Sequence, residues 1–116
     1  MEWIKVIILD YNNLSDSELF MLVNEENEEA KDILFEKYKY IIEIILKKYY
    51  YVASRMGVEY KELYSEALVG FSDALVNFQD DKDASLATFI SLCVNRRVQK
   101  VIAKASTIKN KVMQES

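Results

Sequence analysis

The sequence predicts an all-α fold, a compact single-domain bundle of four main helices. Three observations carry that expectation. The 116 residues contain no proline and only two glycines, Gly57 and Gly70, so little in the chain interrupts helix propagation. Apolar residues recur at spacings of three and four over long stretches, the period of a helix face rather than of a strand. Polar clusters with capping chemistry separate those stretches. The hydrophobic fraction of 51% is enough for one core, and a second domain is not expected at this length.

Residues 1–13 contain the run WIKVIIL, which is expected to form an apolar, strand-like or irregular tail. The run is too short to cross a bilayer, and it lacks the basic leader and small-residue cleavage site of a signal peptide. The folded domain is expected over residues 14–110, with residues 111–116 as a C-terminal tail. In LSDSELFML, Ser15 followed by Glu18 forms a capping-box pattern, which predicts a first helix over residues 16–23. The cluster NEENEE interrupts it. Asn27 is placed to cap the next helix, with Glu28 and Glu29 near its positive end.

Over residues 28–55 the positions Ile33, Leu34, Tyr38, Ile41, Ile42, Ile45, Tyr49 and Val52 form one apolar stripe, the mark of a long second helix. Gly57 is expected to end it as a left-handed C-cap. A third helix over residues 59–78 is predicted to bury Tyr60, Leu63, Tyr64, Ala67, Leu68, Phe71, Ala74, Leu75 and Phe78. The polar run QDDKDAS connects it to a fourth helix over residues 85–105, capped by Ser85 or Asp83. At 100° per residue, Ala87, Ile90, Val94, Val98, Val101, Ile102 and Ala105 fall on the core side of that helix. Phe89, Cys93, Arg96, Arg97, Lys100 and Lys104 fall on the other side.

Charge is divided unevenly. Residues 1–83 carry nine Lys or Arg against eighteen Asp or Glu, and residues 84–116 carry six against one. Minus nine and plus five give the net charge of minus four. Such asymmetry points to two electrostatically different contact surfaces. One is the ridge of the fourth helix, where four cations continue from a phenyl ring. Cations release counterions when they meet phosphates, and an aromatic face stacks an unpaired base for about 1–3 kcal/mol. The same ridge also reads as a solvated face with Phe89 tucked against a neighbouring helix, although no glutamate at i±4 compensates its charge. The other surface is Glu62, Glu66, Val69 and Asp73 on the third helix. These residues either dock against a basic partner helix or simply confer solubility.

Other chemistry finds no support. One cysteine and no histidine rule out a Cys/His zinc cluster and an internal disulfide framework. Two isolated glycines cannot build a phosphate-binding loop. Glu62 and Glu66 have no nucleophile or histidine beside them that would make them an acid/base couple. The tyrosines of KKYYYVASR read as core or groove packing, and Cys93 as a half-buried thiol. No cofactor, no metal and no enzymatic activity are expected. Without a targeting segment or cysteine pair, the cytoplasm is the expected compartment.

Residues 59–105, EYKELYSEALVGFSDALVNFQDDKDASLATFISLCVNRRVQKVIAKA, resemble region 2 of bacterial RNA polymerase sigma factors of the sigma-70 family. The family pattern DLIQEGxIGLxxAIxxFDxxKGxxFxTYA, followed by a basic helix, runs in the same register as ELYSEALVGFSDALVNFQDDKDASLATFI. FISLCVNRRV is similar to FAELCITRQI of the sigma-H-like branch of Gram-positive bacteria, and NEENEEAKDILFEKYKYII resembles the family's GDEEAFEELYEKYKPLI. The resemblance covers about residues 14–110.

The resemblance implies a fold of the sigma region 2 type and a function in starting transcription, by binding core polymerase and by recognising and melting the promoter minus-ten element. It places Glu62, Ser65, Glu66, Leu68 and Val69 against the clamp helices of the largest polymerase subunit. It places Phe89 where an aromatic stacks a flipped adenine of the non-template strand, and Arg96, Gln99, Lys100 and Lys104 near upstream bases or phosphates. Asn95, Arg97 and Lys109 match more loosely. An anti-sigma factor is a further candidate partner, and no membrane partner is implied.

The chain departs from the pattern at several points. Leu92 and Cys93 replace the tryptophan pair of primary sigma factors, Ser65 and Ala67 replace a glutamine and a glycine, and Asp83 replaces a glycine. No counterpart of the helix-turn-helix that reads the minus-thirty-five element is found, as expected either for a domain of a longer factor or for a minimal sigma-like protein. Two other readings fit the same residues. One is a sigma-like regulator that occupies the clamp without recognising promoters, and the other is a helical adaptor unrelated to transcription.

Overall fold

The computed structural model describes residues 18–19, 21–22, 27–79 and 85–115, with side chains as far as residue 112. Its described residues form three long helices, α1 (Glu28–Arg55), α2 (Tyr60–Asn77) and α3 (Leu86–Glu115), and no strand. The all-α expectation holds, but the count is three rather than four. The difference is the helix expected over residues 16–23. There Glu18, Leu19, Met21 and Leu22 have helical backbone, and Leu19 is buried in the core. Residues 16, 17, 20 and 23 lie outside the described ones, as do Ser15, the tail over residues 1–13, and Asp83.

Local chemistry sets the helix ends. The Asn27 side chain accepts a hydrogen bond from the Ala30 N–H at 3.1 Å, which satisfies one of the unpaired donors of the first α1 turn. At the other end Gly57 has φ +83°. The Gly57 N–H bonds the Ser54 carbonyl and the Val58 N–H bonds the Ala53 carbonyl, which is a Schellman closure. The α2 helix ends without glycine. Phe78 turns extended after its N–H bonds the Ala74 carbonyl, and its buried ring holds the chain against the core. Ser85 caps α3 by accepting from the Thr88 N–H at 3.2 Å.

α3 ends ten residues beyond Ala105, the end expected from the sequence, where the core stripe thins out. No glycine or proline stops it between residues 106 and 115, so the backbone continues in the same conformation.

The three helices share one core. The α1 row Ala30, Leu34, Tyr38, Ile42 and Leu46 is buried, as are Leu63, Ala67, Phe71, Ala74 and Leu75 of α2 and Leu86, Ile90, Val94 and Val98 of α3. Each such Leu, Ile or Val contributes about 1.5–3 kcal/mol of burial. Two expected core residues are exposed: Val52, 45%, and Tyr60, 48%. Both sit near helix ends, at the edge of the apolar stripe. Ala53 is buried in place of Val52, and Tyr60 packs its ring on Tyr50 and Tyr64.

One glycine sets how closely α2 and α3 approach. A Cβ on Gly70 would lie 3.0 Å from Val94 Cα and 3.1 Å from the Cys93 carbonyl oxygen. Only a residue without Cβ lets the two backbones meet there. Three residues further along α3, Arg97 meets Glu66 of α2, so the two helices run antiparallel. This antiparallel register decides which surface residues become neighbours.

Candidate functional site

The register places the two surfaces of unlike charge along one seam. One groove is lined by Glu62 and Glu66 on its α2 side, by Arg97, Lys100 and Lys104 on its α3 side, and by Val58, Val101, Ala105 and Ile108. A second groove places Asp73 beside Cys93, Arg96, Arg97, Gln99 and Lys100. Three carboxylates of α2 therefore share grooves with the four cations of the α3 ridge. The counter-charge missing at i±4 along α3 is supplied by a different helix.

The tightest contact joins the two sets. Arg97 Nε lies 3.3 Å from Glu66 Oε2, and both side chains keep 37% of their surface exposed. The Nε–H is not directed at the carboxylate, so the buried Nε has no hydrogen bond. The contact is therefore an ion pair without the aligned geometry that gives such pairs most of their strength.

On α2, Glu62, Ser65 and Val69 are exposed beside Glu66. The Ser65 hydroxyl donates to the Lys61 carbonyl of its own helix at 3.0 Å. Leu68 is partly buried against the core, as the apolar stripe of the helix predicts. At 100° per residue it lies about 120° around the helix from Glu62.

On α3, Arg96, Gln99, Lys100 and Lys104 are exposed, while Phe89, Cys93 and Arg97 are only partly so. The ridge is therefore not uniform. α3 packs on both α1 and α2, so it buries a wider arc than one apolar stripe, and the row Phe89, Cys93, Arg97 lies at the edge of that arc. The Phe89 ring sits 5.9 Å from the Phe78 ring, tilted by 51°. Burial pushes the Cys93 thiol above its ordinary pKa, and the nearby Arg96 only partly offsets this.

Two further contacts tie the basic helix to α1. The Gln99 amide donates to the Tyr49 hydroxyl at 2.7 Å. Lys109 Nζ donates to the Arg55 carbonyl at 3.0 Å, placing a cation at the negative end of α1. The groove residues that the sequence reading missed are Val58, Val101, Ala105 and Ile108 as a group. Ile108 was legible as the next step in the 101, 105, 108 spacing once the helix is allowed to continue. Among the described residues, no group of acidic or cysteine side chains is gathered as a metal site, and no helix is long and apolar enough to cross a membrane.

Comparison with known proteins agrees with the sequence resemblance. The chain is 24% identical over 97 residues to an RNA polymerase sigma-H factor of Bacillus licheniformis and, at the same identity and length, to one of Bacillus subtilis. The matched segments cover 84% of this chain and 42% and 43% of those proteins. The chain thus spans less than half the length of the curated relatives it matches. These matches support the resemblance to a sigma-70 family sigma factor region. No family model matches the chain. No solved structure matches it either.

Proposed function

We propose that this chain acts as the region 2 domain of a bacterial RNA polymerase sigma factor, a non-enzymatic binding module of the cytoplasm. The exposed carboxylate face of α2, centred on Glu62 and Glu66, docks on the clamp helices of core polymerase. The exposed α3 cations Arg96, Lys100 and Lys104, with Phe89 at their N-terminal end, meet the non-template strand of the minus-ten element. Energy from holding a flipped base there offsets the few kcal/mol of unstacking that promoter melting requires. The observation that carries the reading is the seam itself. It presents an acidic helix face and a basic helix face side by side, in the register of a sequence similar to sigma-H factors.

The free domain binds duplex DNA weakly on this reading, because Glu62, Glu66 and Asp73 line the same grooves as the cations and oppose phosphate approach. The test is capture of the chain by immobilised core polymerase. Glu62→Lys with Glu66→Lys should weaken capture by about tenfold or more, as charge reversal at a complementary interface does. Equal capture of the wild type and the variant would contradict the reading.

A second reading draws on a specific observation. Phe89 packs against Phe78, and Arg97 is paired with Glu66, which fits a sigma-like regulator that holds the clamp without engaging promoter DNA. That reading predicts core capture with no retention of a minus-ten single strand.

A further inference from the structure

The Glu66–Arg97 pair joins one residue from each proposed interface. We infer that Glu66 is an intramolecular competitor for the anion site at Arg97, so that occupation of the carboxylate face and anion binding on the α3 ridge are coupled. The inference rests on the reading of α3 as a nucleic-acid-binding ridge.

The contact between Glu66 and Arg97, Nε to Oε2 at 3.3 Å, is not aligned as a hydrogen bond. A phosphate offers a guanidinium two parallel charge-assisted hydrogen bonds, so a phosphate group outcompetes this carboxylate for Arg97. Nε itself is buried, but each side chain keeps 37% of its surface exposed, so ions reach the outer part of the pair, and it can open by side-chain rotation without unfolding the helices that carry it. The helices themselves are fixed at Gly70, so the exchange is confined to side chains.

Glu66 nevertheless remains next to any phosphate bound at Arg97 and repels it. A partner cation that takes up Glu66 removes both the competition and the repulsion. By linkage, whatever factor this adds to anion affinity, the bound anion adds to partner affinity. Glu62 lines the same groove, but it is Glu66 that contacts Arg97. Glu62 is therefore the control for net charge alone.

The experiment measures binding of a fluorescein-labelled single-stranded oligodeoxynucleotide to the whole chain by anisotropy at low ionic strength. Glu66→Gln should tighten binding about two- to fivefold beyond Glu62→Gln, the range expected for a half-exposed ion pair. Glu66→Asp keeps the net charge but draws the carboxylate away from Arg97, and it should also tighten binding. In an Arg97→Gln background the excess of Glu66→Gln over Glu62→Gln should vanish. Equal effects of Glu66→Gln and Glu62→Gln in the otherwise wild-type chain, with Arg97 in place, would overturn the coupling and leave the ridge reading intact. Failure of every variant, and of the wild type, to bind the oligonucleotide would overturn the ridge reading and the coupling with it.

Discussion

Between residues 86 and 98, α3 buries Leu86, Ile90, Val94 and Val98 at 3% exposure or less, whereas from residue 103 to residue 112 no side chain is buried. The first half lies against Gly70 of α2 at backbone contact distance. The second half is tied to α1 by the Lys109 bond to the Arg55 carbonyl, with Ile108 and Val112 more than half exposed. One continuous helix is thus held by close packing at one end and, at the other, by partial packing that includes Ala105 and by a surface hydrogen bond. The difference shows how the fold presents charge. The packed half fixes the position and direction of the helix, and Lys100 and Lys104 project beyond the packed stretch on a scaffold they do not stabilise. Such a cation is free to act on a ligand without loss to the core.

The contrast can be broken at its packed end. Ile90→Ala removes a fully buried side chain and should cost about 2–5 kcal/mol, measured by urea unfolding with the slope held constant. Gly70→Val should cost about 1–3 kcal/mol through overpacking, because the added atoms meet the backbone of Cys93 and Val94, which cannot rotate away. At the other end, Ile108→Ala combined with Lys109→Ala should change stability by no more than about 0.5 kcal/mol, the usual range for surface positions. Amide exchange should show the same gradient, with strong protection around Val94 and fast exchange beyond residue 105. A loss comparable to Ile90→Ala from the C-terminal pair would show that the second half is packed after all.

Much of this arrangement was legible in the sequence, and the parts that were not share a physical cause. The bounds of α1 followed from a long apolar stripe with Asn27 at one end and Gly57 at the other, since capping and left-handed closure are local chemistry. The buried rows of α2 and α3 followed from periodicity. The exposure of Val52 did not, because the stripe does not show which of its edges meets the partner: Ala53, the next residue, is the one buried.

The purpose of Gly70 was equally hidden, since it depends on a backbone that arrives 24 residues later in the chain. The candidate site divides the same way. Glu62, Glu66, Arg96, Lys100 and Lys104 were identified from charge and spacing and lie at the surface. The burial of Leu68 followed from the stripe of its own helix, whereas the pairing of Glu66 with Arg97 and the choice of Phe78 as the neighbour of Phe89 are consequences of helix register. Spacing along one helix carries no information about register between two.

The central claim is that α2 and α3 serve two different partners at once. The most direct test is retention of a labelled minus-ten single strand by core polymerase, with and without this chain, using wild type, Phe89→Ala and Lys100→Ala with Lys104→Ala. The account predicts retention only when both proteins are present, lost with Phe89→Ala and weakened about tenfold or more at moderate salt by the double lysine change. Retention that requires the chain but is unaffected by all three substitutions would contradict it.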